Sequence, residues 1–137
     1  IEKAAKLSIP EIFERHGEEF FRDKEDQVIK RLLKGKCCIL ATGGGAFINP
    51  KIRKTVFSKS ISFWLDEKLE KIEKRVSKSI RRPLINNNNS RHFIIKLFNE
   101  RKKIYNLANF RIKCDKMTKT QIAEKILNIY EKNKNSK

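Results

Sequence analysis

Three consecutive glycines stand at the end of an uncharged run, where a bare backbone could bind a ligand. The run covers residues 37–42, and the glycines are Gly43, Gly44 and Gly45. An unbroken apolar run bounded by glycine predicts a strand buried on both faces of a parallel sheet. Because glycine has no Cβ, the backbone at the carboxyl end of such a strand can approach a substrate closely and offer its N–H groups. The alternative is a flexible turn between strand and helix, for which one or two glycines would suffice.

Arginines occur in predicted helices on both sides of the glycines. Arg22 and Glu25 are three residues apart in a predicted helix, so their side chains share a face and can pair. The alternative is an ordinary surface ion pair, which contributes less than about 1 kcal/mol, but the glycine run nearby favours a binding role. Arg101 lies near the end of a later predicted helix, four residues before Tyr105.

A polar stretch at residues 77–92 interrupts the regular pattern and predicts a long loop. It holds Arg81, Arg82 and Pro83, followed by four asparagines at 86–89. A loop of this length in a compact domain is usually functional or disordered. Two arginines before a proline indicate a mobile lid that brings positive charge onto a ligand, whereas the asparagines alone favour a disordered linker.

The order of the remaining elements predicts an α/β fold with a parallel sheet. Helices are expected at residues 8–17, 18–34, 49–57, 66–78, 91–103 and from 118 onwards, and strands at residues 37–42, 60–65 and 110–114. Ser8 and Glu11 have the spacing of a capping box at a helix start, and Gly17 is expected to end that helix. Thr118 and Gln121 have the same spacing before the last helix.

Length and composition indicate one domain that does not span a membrane. The 137 residues are 39% hydrophobic, and no apolar stretch approaches the length of a transmembrane helix or forms a secretory signal. The spacing of the three cysteines, Cys37, Cys38 and Cys114, is not that of metal ligands, so we expect no metal site. We expect all three to be free, buried thiols in a reducing cytoplasm. We therefore expect a single domain over residues 1–137, monomeric and cytoplasmic.

The formal net charge of +17, from 33 basic and 16 acidic residues, favours an anionic partner. Most of the excess is lysine scattered among asparagine and isoleucine, as on a solvated surface. A nucleic-acid module would show aromatic residues interleaved along a lysine-rich face. We therefore do not expect nucleic-acid binding, although a basic nucleic-acid binder stays an alternative. Steeply salt-dependent binding to DNA or RNA, indifferent to Arg22→Ala, would favour that alternative.

The motifs together resemble shikimate kinase, a small enzyme similar to the nucleoside monophosphate kinases. The resemblance rests on five stretches in the family's order: Ser-Ile-Pro-Glu-Ile-Phe-Glu at 8–14, Gly-Glu-Glu-Phe-Phe-Arg at 17–22, Leu-Ala-Thr-Gly-Gly-Gly at 40–45, Arg-Pro-Leu at 82–84, and Arg101 with Tyr105 and Ala108. It implies a three-layer α/β/α parallel sheet of the P-loop nucleoside monophosphate kinase type. It also implies phosphorylation of the 3-hydroxyl of shikimate by ATP with Mg²⁺, in aromatic amino acid biosynthesis.

The resemblance assigns roles to the residues that match the family's shikimate-binding positions. Arg22 and Arg101 look like the two arginines that hold the shikimate carboxylate, for which guanidinium forks are suited. Glu25 would orient Arg22 and can reach a substrate hydroxyl. The loop whose backbone lies against the shikimate ring would consist of Gly43, Gly44 and Gly45.

Two arginines match positions of the family that act on ATP. Arg82 resembles the lid arginine that closes over the transferring phosphoryl group, where it would stabilise negative charge on the oxygens. Arg75 resembles an arginine that stacks near adenine. The segment 115–120 departs from the family's Arg- and Pro-containing adenine loop, since it holds Lys116, Met117 and Lys119.

A second departure is that no Gly-x-x-x-x-Gly-Lys-Ser/Thr pattern occurs. The family carries this phosphate loop on its first strand and following helix, ahead of the residues that match Ile1 and Glu2. We therefore expect an amino-terminally truncated shikimate kinase that lacks the first strand. We also expect the ligands of Mg²⁺ in the missing segment, and an inactive 137-residue chain. The strand that contains Ile39 would then have an unpaired edge, which favours aggregation or an incomplete fold.

Two further readings from other functions remain open. One is a related small-molecule kinase such as a gluconate kinase, which would share the phosphate loop but not Phe21-Arg22 with the triple glycine. The other is a non-catalytic relic or binding module that holds shikimate or an acidic partner without transferring a phosphoryl group.

Overall fold

The structure is a computed structural model that describes residues 1–35, 37–76 and 91–134. Helices α1 to α6 and strands β1 and β2 follow one another in chain order as α1 (Glu2–Ala5), α2 (Ile9–Lys34), α3 (Pro50–Lys59), β1 (Phe63–Asp66), α4 (Leu69–Val76), α5 (Arg91–Tyr105), β2 (Phe110–Lys113) and α6 (Lys119–Lys134). A short 3-10 turn, Ala46–Ile48, precedes α3. Within the described ranges, no helix is long and apolar enough to cross a bilayer.

Capping residues set the beginnings of the helices, as their spacing predicted. The Ser8 N–H donates to Oε2 of Glu11 at 2.8 Å, while the Glu11 N–H donates back to the Ser8 hydroxyl at 3.4 Å. The same reciprocal pair joins Thr118 and Gln121 at the start of α6. Gly17 interrupts α2 with φ 77° and ψ 179°, so the two helices expected on either side of it are confirmed.

Strands β1 and β2 pair in parallel with the helical segments between them, which is an α/β arrangement. Their register places Trp64 opposite Arg111 and Leu65 opposite Ile112. The Arg111 guanidinium lies 4.8 Å from the centre of the Trp64 ring and donates from Nε to Asp66 at 2.8 Å. Cross-strand contacts therefore fix Trp64 on the surface that faces α5, where it approaches Tyr105.

The strand predicted at residues 37–42 is not formed, and this corrects the sequence analysis. These residues have no regular secondary structure, Cys37 and Cys38 are exposed, and the Ile39 side chain is fully exposed. Burial was therefore predicted wrongly for Cys37 and Cys38 and correctly for Cys114. A strand is stabilised by hydrogen bonds to a neighbour, and in the described part of the chain β1 and β2 pair only with each other.

The core that carries the glycine run lies between α2, the 3-10 turn and α3. It consists of the buried side chains Ile29, Ala46, Ile52 and Val56, with Leu33, Leu40 and Phe47 packed against them. Ala46 directly follows the three glycines and is 1% exposed. Its burial anchors the carboxyl end of the glycines on the face of α2 that carries Arg22 and Glu25.

Candidate functional site

The glycine loop, residues 43–48, is a tight backbone turn with its first residues open to solvent. The Ala46 N–H donates to the Gly43 carbonyl and the Ile48 N–H to the Gly45 carbonyl, both at 3.1 Å. Gly43 and Gly44 are exposed, whereas Gly45 is half-buried. The loop is thus fixed from the core side and leaves bare backbone on its outer side, where a small ligand could lie.

Arg22 is held in one orientation by two carboxylates on its own helix. Its Nη1 donates to Oε2 of Glu25 at 2.7 Å, and its Nε and Nη2 donate to Oε1 of Glu18 at 3.2 and 3.1 Å. These partners lie three and four residues away, on the same face of α2. Glu25 is 4% exposed, so this pair is not an ordinary surface ion pair. The predicted pairing of Arg22 with Glu25 is therefore confirmed.

The Arg22 guanidinium packs closely against Gly45. A Cβ placed on Gly45 would lie 2.6 Å from Cζ of Arg22, which is closer than real Cβ contacts allow. The φ of Gly45 is −87°, a value that any residue adopts. Gly45 is therefore required for the space that it leaves to the guanidinium, and not for its backbone conformation. In the described residues, the only glycine with a positive φ is Gly17.

A second arginine reaches the loop from α5. A Cβ on Gly44 would lie 3.3 Å from Nη1 of Arg101 and 3.0 Å from the hydroxyl of Tyr105. The Tyr105 hydroxyl donates a hydrogen bond to the Gly44 carbonyl. A Cβ on Gly43 would lie 3.6 Å from Oε1 of Glu25, in ordinary contact.

The structure thus brings six predicted site residues together, from three separate parts of the chain. They are Arg22, Glu25, Gly43, Gly44, Gly45 and Arg101. Two guanidinium groups from different helices flank an exposed stretch of backbone that carries no side chains. Guanidinium groups bind planar carboxylates through paired hydrogen bonds, so this geometry is suited to a small organic acid.

Of the remaining predicted site residues, the structure describes only Arg75. Arg75 is exposed on α4, a helix that packs against α5. Arg82 and the preceding Arg81 lie outside the described residues, as does the predicted lid except for its last two positions, 91 and 92. The described ranges contain no cluster of three or more His, Cys, Asp or Glu side chains that could hold a metal ion.

Sequence reasoning missed three residues that shape the loop. Glu18 escaped notice although its spacing of four from Arg22 is a pairing signal. Tyr105 was part of the family motif but was given no role. Arg53 donates from Nη1 to the carbonyls of Phe47 at 2.9 Å and Ile48 at 3.0 Å, and nothing in the local sequence indicates this contact.

Comparison with known proteins decides the family. A model of the family described as shikimate kinase matches residues 1–131. The chain belongs to the shikimate kinase family. The shikimate kinase of Bartonella henselae is 42% identical over 127 residues, which cover 93% of this chain and 60% of that protein. The shikimate kinase of Bradyrhizobium diazoefficiens is 40% identical over 127 residues, 93% of this chain and 61% of its own length.

Solved shikimate kinases have the same fold. The Acinetobacter baumannii enzyme in complex with shikimate superposes with a TM-score of 0.89 at 30% identity, covering 97% of this chain and 75% of that one. The Aquifex aeolicus enzyme gives a TM-score of 0.80 at 32% identity, over 96% and 77% of the two chains. The predicted α/β fold of the P-loop nucleoside monophosphate kinase type is confirmed. The chain spans about 60% of the length of the curated relatives.

Proposed function

We propose that these residues form the shikimate-binding part of a shikimate kinase, which phosphorylates the 3-hydroxyl of shikimate with ATP. The observation that carries the proposal is the convergence of Arg22 and Arg101 on the glycine loop. Membership of the shikimate kinase family and the likeness to an enzyme solved in complex with shikimate support it. The reaction belongs to the biosynthesis of aromatic amino acids.

Substrate binding would use the two guanidinium groups for the carboxylate and the glycine backbone for the ring. Glu25 and Glu18 hold Arg22 before any ligand arrives, so little side-chain entropy is lost when the carboxylate binds. Gly43 and Gly44 are exposed and carry no side chains, so a small ring can approach their backbone closely. Oε1 of Glu25 lies at the same loop, and we assign to it the orientation of a ring hydroxyl.

Phosphoryl transfer would depend on positioning and charge, because this reaction needs little covalent chemistry from the protein. We assign the catalytic role to Arg82, which would stabilise negative charge on the transferring phosphoryl group from the lid at 77–92. Arg75 would contact ATP near adenine. Mg²⁺ would accompany ATP and neutralise phosphate charge. The chain has no Gly-x-x-x-x-Gly-Lys-Ser/Thr pattern, so these residues do not supply the usual phosphate cradle.

Calorimetric titration with shikimate tests the substrate site. Arg22→Ala and Arg101→Ala should each weaken shikimate binding by about 10- to 150-fold, since each removes a charge-assisted pair that contributes roughly 1.5–3 kcal/mol. Arg31→Ala is the matched control, because Arg31 is exposed on the same helix as Arg22. Wild-type affinity in both site variants would refute the carboxylate assignment.

Release of ADP in the presence of shikimate tests the reaction itself. The assay compares the 137 residues alone with the same residues joined to the phosphate-loop segment of a curated relative. Shikimate-dependent turnover in the joined protein, lost in Arg82→Ala with modest loss of shikimate affinity, is the expected result. Tight shikimate binding without turnover in any form would instead favour the non-catalytic binding module. Turnover with gluconate in place of shikimate would favour the related kinase.

A further inference from the structure

We propose that Tyr105 is a positioning residue that holds the glycine loop in register with the two guanidinium groups. This inference rests on the proposed function of the loop as a shikimate site. Its basis is the hydrogen bond from the Tyr105 hydroxyl to the Gly44 carbonyl, which joins residues 61 positions apart. The role differs from that of Arg22 and Arg101, because Tyr105 acts on the loop and not on the substrate.

Tyr105 and Arg101 reach the same glycine because they lie one helical turn apart on α5. Residues four positions apart are neighbours on a helix surface. The hydroxyl of Tyr105 and Nη1 of Arg101 lie 3.0 and 3.3 Å from the position of a Cβ on Gly44. Any displacement of Gly44 from the hydroxyl therefore also moves it relative to the arginine.

The aromatic ring of Tyr105 is itself fixed from the sheet side. Its centre lies 6.2 Å from that of Trp64 on β1. Trp64 is covered on one face by Arg111, which is bound in turn to Asp66. Successive contacts therefore connect the paired strands to the loop, through Trp64 and then Tyr105. The Tyr105 side chain therefore connects an exposed loop to the paired strands.

Three successive carbonyl groups of the loop accept hydrogen bonds. Those of Gly43 and Gly45 accept from backbone N–H groups that follow in the chain, and that of Gly44 accepts from Tyr105. In a trans peptide the carbonyl and the next N–H point in opposite directions. Holding the Gly44 carbonyl therefore also fixes the direction of the Gly45 N–H, in the part of the loop that the substrate is proposed to contact.

Tyr105→Phe tests the inference, with Tyr130→Phe as the matched control. The phenylalanine keeps the ring against Trp64 and removes only the hydroxyl, and Tyr130 is the other tyrosine of the chain, on α6. We expect shikimate binding to weaken about five- to tenfold in Tyr105→Phe, as for one lost hydrogen bond. We also expect amide hydrogen exchange at Ala46 and Ile48, whose N–H groups donate hydrogen bonds within the loop, to accelerate in this variant, while exchange in β1 and β2 stays unchanged.

Replacement of Tyr105 by para-aminophenylalanine keeps both the ring and a hydrogen-bond donor, and it should restore both readouts. Unchanged affinity and unchanged exchange in Tyr105→Phe, or failure of the amino analogue to restore them, would overturn the inference. If the wild-type chain binds no shikimate, the proposed function fails. The exchange comparison then still shows whether Tyr105 holds the loop.

Discussion

Two adjacent stretches of the chain, residues 37–42 and the glycine loop at 43–48, differ in how far the rest of the protein contacts them. The first has no regular structure and exposes Cys37, Cys38 and Ile39. The second contacts α2, α3 and α5 through side chains that reach it from all three helices. Only the first stretch departs from the prediction, since it was expected to be a buried strand, whereas the glycines were expected beyond its end, with their backbone open to a ligand.

The difference follows from where the partners of each stretch lie. The loop is held by groups that the described chain supplies, chiefly Arg22, Arg53 and Tyr105. A strand at 37–42 would need a neighbouring strand for its backbone hydrogen bonds, and β1 and β2 are paired only with each other within the described ranges. A run of hydrophobic residues is therefore not sufficient to form a buried strand, because its backbone also needs a neighbouring strand with which to form hydrogen bonds.

The largest expected contrast is in stability, between one isoleucine from each side of this comparison. Ile52→Ala should lower the free energy of unfolding by about 2–5 kcal/mol, because Ile52 is 1% exposed in the core beneath the loop. Ile39→Ala should change it by less than about 0.5 kcal/mol, since that side chain is fully exposed. Urea titrations of both variants measure the difference. A cost at Ile39 similar to that at Ile52 would mean that residues 37–42 are buried in solution.

Thiol reactivity gives the next largest contrast. Cys37 and Cys38 should react with a disulfide reagent at neutral pH at least ten times faster than Cys114, because they are exposed and Cys114 is buried. Burial raises the pKa of the Cys114 thiol, and the nearby carboxylates of Glu67 and Asp66 raise it further. A smaller fraction of Cys114 is therefore thiolate at a given pH, and its reaction should accelerate only at higher pH. Equal protection of all three thiols would contradict the exposure of residues 37–42.

Within the loop, Gly45→Ala should weaken shikimate binding about tenfold or more. The new Cβ overlaps the Arg22 guanidinium, and the flexible end of that side chain must move away from Glu25. The fold should persist, because the backbone of Gly45 is compatible with alanine. Calorimetric titration measures the change, and Gly35→Ala, at the end of α2, is the control outside the loop. An unchanged affinity would mean that the position of Arg22 against Gly45 does not matter for binding.

The smallest effect is expected at Arg53. Arg53→Met keeps the aliphatic length but removes the donor to the carbonyls of Phe47 and Ile48. The loss should be about 1 kcal/mol of stability, typical of hydrogen bonds to backbone groups at a partly exposed site. Thermal unfolding measures it, with Lys54→Met, an exposed neighbour on α3, as the control. Equal melting temperatures of the two variants would show that Arg53 does not stabilise the turn.

Sequence reasoning succeeded where the determinants are local. The capping pairs Ser8 with Glu11 and Thr118 with Gln121 follow from spacing alone, and β1 and β2 follow from apolar runs between turn residues. The pairing of Arg22 with Glu25 is likewise local, because they lie three positions apart on one helix.

Contacts between distant residues could not be predicted in the same way. Tyr105 and Gly44 are 61 positions apart, and no periodicity relates them. The exposure of residues 37–42 depends on a pairing partner rather than on their own composition. The reason for glycine at position 45 is also nonlocal, because the group that excludes a Cβ is the Arg22 guanidinium.

The most direct measurement of the central claim is an NMR titration that follows the arginine Nε–H signals of the labelled protein. Added shikimate should shift the signals of Arg22 and Arg101 together and leave that of Arg31 in place. The methyl ester of shikimate, which lacks the carboxylate charge, should shift neither at the same concentrations. Equal shifts with acid and ester, or a shift of only one of the two arginines, would contradict a shared carboxylate site at the glycine loop.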